Sequence, residues 1–171
     1  MNERIGKNQY FFSIAKQVAQ RSTCLRRHVG SIIVDEFDRI IATGYNGAPA
    51  KQTDCLERGY CYRERNNIPS GEHYEACLSI HSENNALLQA GLNARNCNIY
   101  IYAEIRREFE YGDVLWEPII TYPCIMCSRL ILNTGIKGVY IYDYDGAIYN
   151  TSQEIYDMSL KEMDKFVNNS G

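Results

Sequence analysis

His81-Ser82-Glu83 and Pro123-Cys124-Ile125-Met126-Cys127 are the stretches around which the rest of the chain is read. Each stands where a strand gives way to a predicted helix. A catalytic zinc takes three protein ligands and keeps a fourth position open for water. His81 offers a nitrogen, and Cys124 and Cys127 offer sulfurs. Two cysteines three apart at a helix start share one face, one turn apart. The positive end of the helix dipole also favours thiolates there. Glu83 lies two residues beyond the histidine, close enough to exchange a proton with a water at the metal without ligating it.

Either half alone has a plainer reading. A single C-x-x-C is often half of a structural zinc site or a redox pair. A single His before a helix is usually a cap or a packed surface residue. Both halves in this order, each at a strand-to-helix junction, match the H-x-E…P-C-x-x-C pattern of zinc-dependent nucleobase deaminases.

The whole chain bounds the answer further. Its 171 residues suggest one domain spanning 1–171 with a sizeable core. Hydrophobic residues at 45% and charged residues at 23% are ordinary for a globular protein. A net charge of −3 without a dense basic block argues against broad nucleic-acid binding. No apolar run approaches the ~20 residues of a membrane span, and the polar N-terminus gives no secretory signal. The expected location is therefore the cytoplasm, or the host cytoplasm for a phage-encoded chain, with no membrane partner. Seven cysteines are then read as reduced and metal-binding rather than as disulfides.

Apolar spacing predicts an amphipathic helix over 10–20, from Phe11, Ile14, Ala15, Val18 and Ala19. Val29–Val34 and Arg39–Thr43 read as a hairpin around the polar turn 35–38, followed by the loop Gly44-Tyr45-Asn46-Gly47-Ala48-Pro49. Residues 51–74 lack periodicity, carry a turn at Pro69-Ser70-Gly71, and are read as a long insertion at about 50–75 that something must hold in place. Helices are expected over 79–89, 124–133 and 155–167, and strands over 99–103 and 139–142. The charged stretch 106–117 reads as loop. A further strand falls near Ile119-Ile120 or after Ala147. The resulting fold is an α/β three-layer sandwich: a mixed five-stranded sheet with helices on both faces, in which strands separated by helices favour parallel neighbours.

Over residues 10–144 the sequence resembles deoxycytidylate (dCMP) deaminases of bacterial and phage type, within the cytidine-deaminase-like superfamily. The resemblance rests on Arg21-Ser22-Thr23-Cys24, Val29-Gly30, Thr43–Pro49, His81–Ala86, Pro123–Cys127 and Gly135-Ile136. The Thr43–Pro49 loop is the feature most specific to the dCMP branch. The resemblance implies hydrolysis of dCMP to dUMP and ammonia, supplying the precursor for thymidylate synthesis. It also implies a homo-oligomer with dCTP as activator and dTTP as inhibitor, and Mg²⁺ accompanying those nucleotide effectors. Glu83 would be the catalytic acid–base, and Asn46 would contact the nucleotide. One departure is Ser82, where the family commonly has Ala; another is Tyr122 before the motif proline.

Phosphate recognition suits arginine's planar fork, which nominates Arg21, Arg26 and Arg27. Tyr144, just past a predicted strand, is a candidate for lining the pocket, although most of the 14 tyrosines must be structural. Cys24, Cys55, Cys61 and Cys77 flank or lie within the long insertion. They are candidates for a second, structural zinc, with His73 as a substitute ligand, and phage relatives suggest such a zinc in this region. Cys97 reads as an ordinary buried thiol. Two other functions remain open from the sequence: a tRNA adenosine deaminase sharing both motifs, and a catalytically silent zinc or nucleotide-sensing module. The acidic balance and the Thr43–Pro49 loop count against the first, and the presence of Glu83 against the second.

Overall fold

The computed structural model describes residues 4–69, 72–109 and 111–168, with side chains through 164. In chain order the elements are α1 (Lys7–Ala19), β1 (Arg27–Val34), β2 (Ile40–Tyr45), α2 (Cys55–Arg58), α3 (Tyr62–Arg65), α4 (Ser82–Ala90), β3 (Asn98–Glu108), β4 (Val114–Pro118), α5 (Ile125–Asn133), β5 (Gly138–Asp143), β6 (Gly146–Thr151) and α6 (Ser152–Asn168). The strands form one mixed sheet in the order β2-β1-β3-β5-β6, with β4 paired to the far end of β3. Among the described residues, no helix is long and apolar enough to cross a membrane.

The sheet has six strands, not five. The stretch read as loop carries paired strand at both ends: β3 runs on to Glu108, and β4 returns antiparallel to it, with Arg107 opposite Leu115 and Arg106 opposite Trp116. Its charged residues mislead because this is an exposed edge, where charge discourages further pairing. Long-range contacts hold it. Trp116 stacks on His28 of β1 at 3.5 Å between ring centroids, and Arg107 Nε reaches Glu117 across the pair at 3.3 Å. The strand after Ala147 is present as β6.

Among the described residues only β3 and β5 pair in parallel; β1 pairs antiparallel with both β2 and β3. The crossover from β2 through α4 to β3 passes over β1, so the helix-linked strands run the same way without touching. The turn expected at Pro69-Ser70-Gly71 falls partly on 70 and 71, which lie outside the described residues, as do 110 and the polar tail at 169–171.

Alternation along the strands sends side chains to opposite faces. Ile33, Ile99, Ile101, Val139 and Ile141 meet α4, α5 and α6 through Ala86, Leu87, Ile131 and Ile155. Ile32, Val34, Tyr100 and Tyr102 meet α1 through Phe11, Phe12, Ala15 and Ala19. Tyrosines are structural on this second face. Tyr100 stacks on Tyr140 at 4.4 Å and 9°, and Phe12 meets Tyr142 edge-on at 5.5 Å.

Two glycines set how closely the helices lie on the sheet. A Cβ on Gly30 would stand 2.1 Å from the Ala15 carbonyl oxygen, and one on Gly44 would stand 2.2 Å from the Ser82 carbonyl oxygen. These neighbours are backbone, so they yield only if α1 or α4 moves. Gly44→Ala is expected to cost about 2–3 kcal/mol of stability through overpacking. Because α4 carries His81 and Glu83, the same change should also reduce zinc retention. A variant with parental Tm and zinc content would contradict this reading of the close approach.

Candidate active site

Two helices converge on one cavity by their N-termini. His81 is the N-cap of α4, and Cys124 is the N-cap of α5. Both have extended backbone, with φ/ψ of −70°/153° and −67°/168°, which turns their side chains forward off the helix ends. Cys127 follows one turn into α5 and is fully buried. His81 Nδ1 lies 3.5 Å from Cys124 Sγ and 3.3 Å from Cys127 Sγ. Among the described residues these three alone bring potential ligand atoms from three side chains within 4.8 Å of one another.

This arrangement fits zinc. Tetrahedral coordination with Zn–S of about 2.3 Å and Zn–N of about 2.0 Å places nitrogen and sulfur about 3.5 Å apart. The donor chemistry agrees. A side-chain bond from Cys127 holds the Cys124 thiol well down, to about 4, against the opposing effect of burial and with further help from His81. Cys127 is pushed up by the same bond, by burial and by the charge of Glu83. The two sulfurs therefore share one negative charge. Burial works against a charged His81, but its bond to Cys124 and the Glu83 charge outweigh that, so its pKa is raised.

Glu83 is nearly buried, 6% exposed, and its carboxylate lies beside the ligands. Its neighbours are polar: Ser82 Oγ donates to Glu83 Oε2 at 2.9 Å. The cavity above it is lined by Val29, Asn46, Ser79, Thr121 and Tyr122, with Arg26, Arg27 and Arg63 at its cationic side.

Asn46 is a structural hub as well as a wall. Its Oδ1 accepts from the Val29 amide at 2.8 Å, its Nδ2 donates to the Arg27 carbonyl at 2.9 Å, and its own carbonyl accepts from Ser22 Oγ at 3.0 Å. One N–H and one lone pair of its amide are left for a ligand. The loop it belongs to is fastened to the motif by paired backbone bonds between Gly47 and Ile80, just before His81.

The structure divides the remaining candidates. Arg26 and Arg27 line the cavity, with Arg26 Nε paired to Glu64 at 2.9 Å. Arg21 is exposed at the end of α1 and does not line it. Tyr144 is also elsewhere. It sits in the β5–β6 turn, is exposed, donates to the Pro118 carbonyl, and lines a groove against α1. A hairpin turn carries it to the opposite face of the sheet from the zinc ligands.

Cys24, Cys61 and Cys77 line the cavity rim, and the charges of Cys61 and Cys77 act on both Cys24 and Cys55, so the four are neighbours. Burial raises Cys24, and it raises Cys55 to about 11. His73 is exposed and bonds Glu75 through Nδ1 at 3.0 Å.

The residues that the sequence did not mark are Arg63 and Tyr74. Arg63 is 7% exposed. It donates to the carbonyls of His73 at 2.6 Å, Pro69 at 2.5 Å and Glu72 at 2.5 Å, and its guanidinium lies 5.6 Å from the Tyr74 ring. Tyr74 in turn meets His81 edge-on at 5.8 Å and 83°. One arginine thus clamps the segment that lays an aromatic ring against a zinc ligand. Arg63→Met keeps the apolar stem and removes every donor. It should cost about 3 kcal/mol, since buried carbonyls lose charged partners, and should open 66–77 to protease. Unchanged Tm and unchanged proteolysis would contradict the clamp.

Comparison with known proteins agrees with this geometry. The family model described as the cytidine and deoxycytidylate deaminase zinc-binding region matches residues 5–143. A protein named deoxycytidylate deaminase from Schizosaccharomyces pombe is 36% identical over 145 residues, covering 85% of this chain but only 37% of its own length. One of the same name from Mycobacterium phage D29 is 35% identical over 137 residues, covering 77% of this chain and 91% of its own. Among solved structures, the dCMP deaminase of cyanophage S-TIM5 in complex with dCMP and dUMP superposes with a TM-score of 0.52 at 21% identity, over 81% of this chain and 82% of that one. At that identity the likeness shows the fold.

Proposed function

We propose, since the chain belongs to the cytidine and deoxycytidylate deaminase zinc-binding family, that it hydrolyses dCMP to dUMP and ammonia. The observation that carries this reading is the His81–Cys124–Cys127 triad, with Glu83 beside it, against a cavity that His81, Glu83 and Cys124 line together with Arg26 and Arg27. The names of the S. pombe and phage D29 relatives support dCMP as the substrate. The test is zinc analysis together with uracil-nucleotide formation from dCMP: one zinc at this site and rapid turnover are expected, and a zinc-loaded protein inert towards dCMP would refute it.

Zinc held by His81, Cys124 and Cys127 would supply a Lewis acid that lowers the pKa of water. The chain's own residues do the rest. Glu83 takes one proton from the attacking water and delivers it to the ring nitrogen, and then carries the remaining hydroxyl proton to the departing amino group. The water oxygen ends on the pyrimidine carbon, the C–N bond breaks, and ammonia leaves. Asn46 offers its remaining donor and acceptor to the nucleotide. Arg26 and Arg27 face the 5′-phosphate, with which arginine forms strong charge-assisted bonds.

The same reading extends to a second, structural zinc that ties the inserted segment 50–75 to the end of α1. The closeness of Cys24, Cys55, Cys61 and Cys77 supports it, as does their placement at the starts of α2 and α3 and on either side of the segment. Their sulfurs stand further apart than the catalytic set, so ligation would draw them together. His73, bonded to Glu75, is the weaker fourth ligand. About two zincs per chain are expected. One equivalent, with all four thiols reacting freely in the folded protein, would refute it.

A further inference from the structure

Ser82 stands between a zinc ligand and the proposed acid–base, and it is fully buried, as is Ser31 on the neighbouring strand β1. Ser82 Oγ donates to Glu83 Oε2 at 2.9 Å. It also lies 2.8 Å from Ser31 Oγ. A hydroxyl has one proton, and that of Ser82 is committed to the carboxylate. The contact between the serines is therefore donated by Ser31. The chain of bonds runs from Ser31 to Ser82 to Glu83 Oε2, each donation strengthening the next.

We propose that Ser82, supported by Ser31, is a positioning residue that fixes the Glu83 carboxylate in the orientation the reaction uses; this rests on the deaminase reading of the site. Among the described residues Ser31 reaches the carboxylate through Ser82, and both hydroxyls are fully buried, so solvent does not compete for these bonds. Adjacent residues on a helix do not ordinarily face each other, so the Ser82–Glu83 bond also holds the carboxylate in one orientation beside Cys127. An alanine at position 82 would remove the donor that holds Oε2.

The test uses the full zinc-loaded chain with dCMP, comparing the parent with Ser82→Ala, Ser31→Ala and the double variant. Zinc content, Tm and dUMP affinity are measured alongside. Ser82→Ala is expected to lower kcat about tenfold with KM within about twofold. Ser31→Ala should lower kcat about threefold and should add nothing in the Ser82→Ala background, because it acts only through Ser82. Zinc content and dUMP affinity should stay at parental values. A parental kcat in Ser82→Ala, or independent effects of the two serines, would overturn the relay. Should Ser82→Ala fail to fold, Ser82→Cys keeps the volume with a weaker donor, and a parental kcat there overturns it equally. A parent that binds zinc but leaves dCMP unchanged would instead refute the deaminase reading itself, a result visible before any variant is assayed.

Discussion

Glu83→Ala is expected to keep its catalytic zinc and to lose at least about 10³-fold in kcat on dCMP. Proton transfer by a positioned side chain is worth ~10²–10⁴ on its own, and in the proposed mechanism one carboxylate serves both the water and the ring nitrogen. The carboxylate is not among the three converging ligands, which is why metal content should survive. Glu83→Gln, which keeps the shape but cannot cycle a proton, should be nearly as slow. Metal analysis beside steady-state rates separates the two roles: substantial turnover in either variant would remove Glu83 from the chemistry, and loss of metal would make it a ligand instead.

Cys127→Ser is expected to have the other large effect. Cys127 is fully buried at the centre of the triad, bonded to Cys124 and 3.3 Å from His81. A serine hydroxyl is a poor zinc ligand beside a thiolate. Zinc should fall by about one equivalent per chain and turnover should become undetectable. Tm should drop as well, because a ligand bound only to the folded state stabilises it by mass action. Full zinc occupancy with parental activity would move the metal away from this triad.

The site was legible in the sequence where its geometry is local. His81 and Glu83 are two apart, and Cys124 and Cys127 three apart, so the first turn of a helix fixes each pair. That the two pairs meet follows from α4 and α5 packing on one face of the sheet. Legibility failed where a residue's role depends on distant partners. Trp116 gives no strand signal by itself, because the ring that holds it belongs to His28. Arg63 looks like a solvated charge until the carbonyls of Pro69, Glu72 and His73 close on it. Tyr144 follows a strand in sequence, but a hairpin turn takes it to the α1 face. Gly30 and Gly44 stood out as landmarks, yet the reason, helix backbone pressed onto strand backbone, needs the packed structure.

The measurement that bears most directly on the central claim is a side-by-side assay of the zinc-loaded chain on dCMP, CMP, deoxycytidine and tRNA, reading ammonia release. Deamination of dCMP is expected with kcat/KM at least about 100-fold above deoxycytidine, since losing two charge-assisted bonds to the phosphate costs ~3–6 kcal/mol. CMP should fall below dCMP, and tRNA should be untouched. Equal kcat/KM on dCMP and deoxycytidine would contradict the phosphate reading of the arginine rim. Deamination of tRNA with dCMP left intact would contradict the account as a whole.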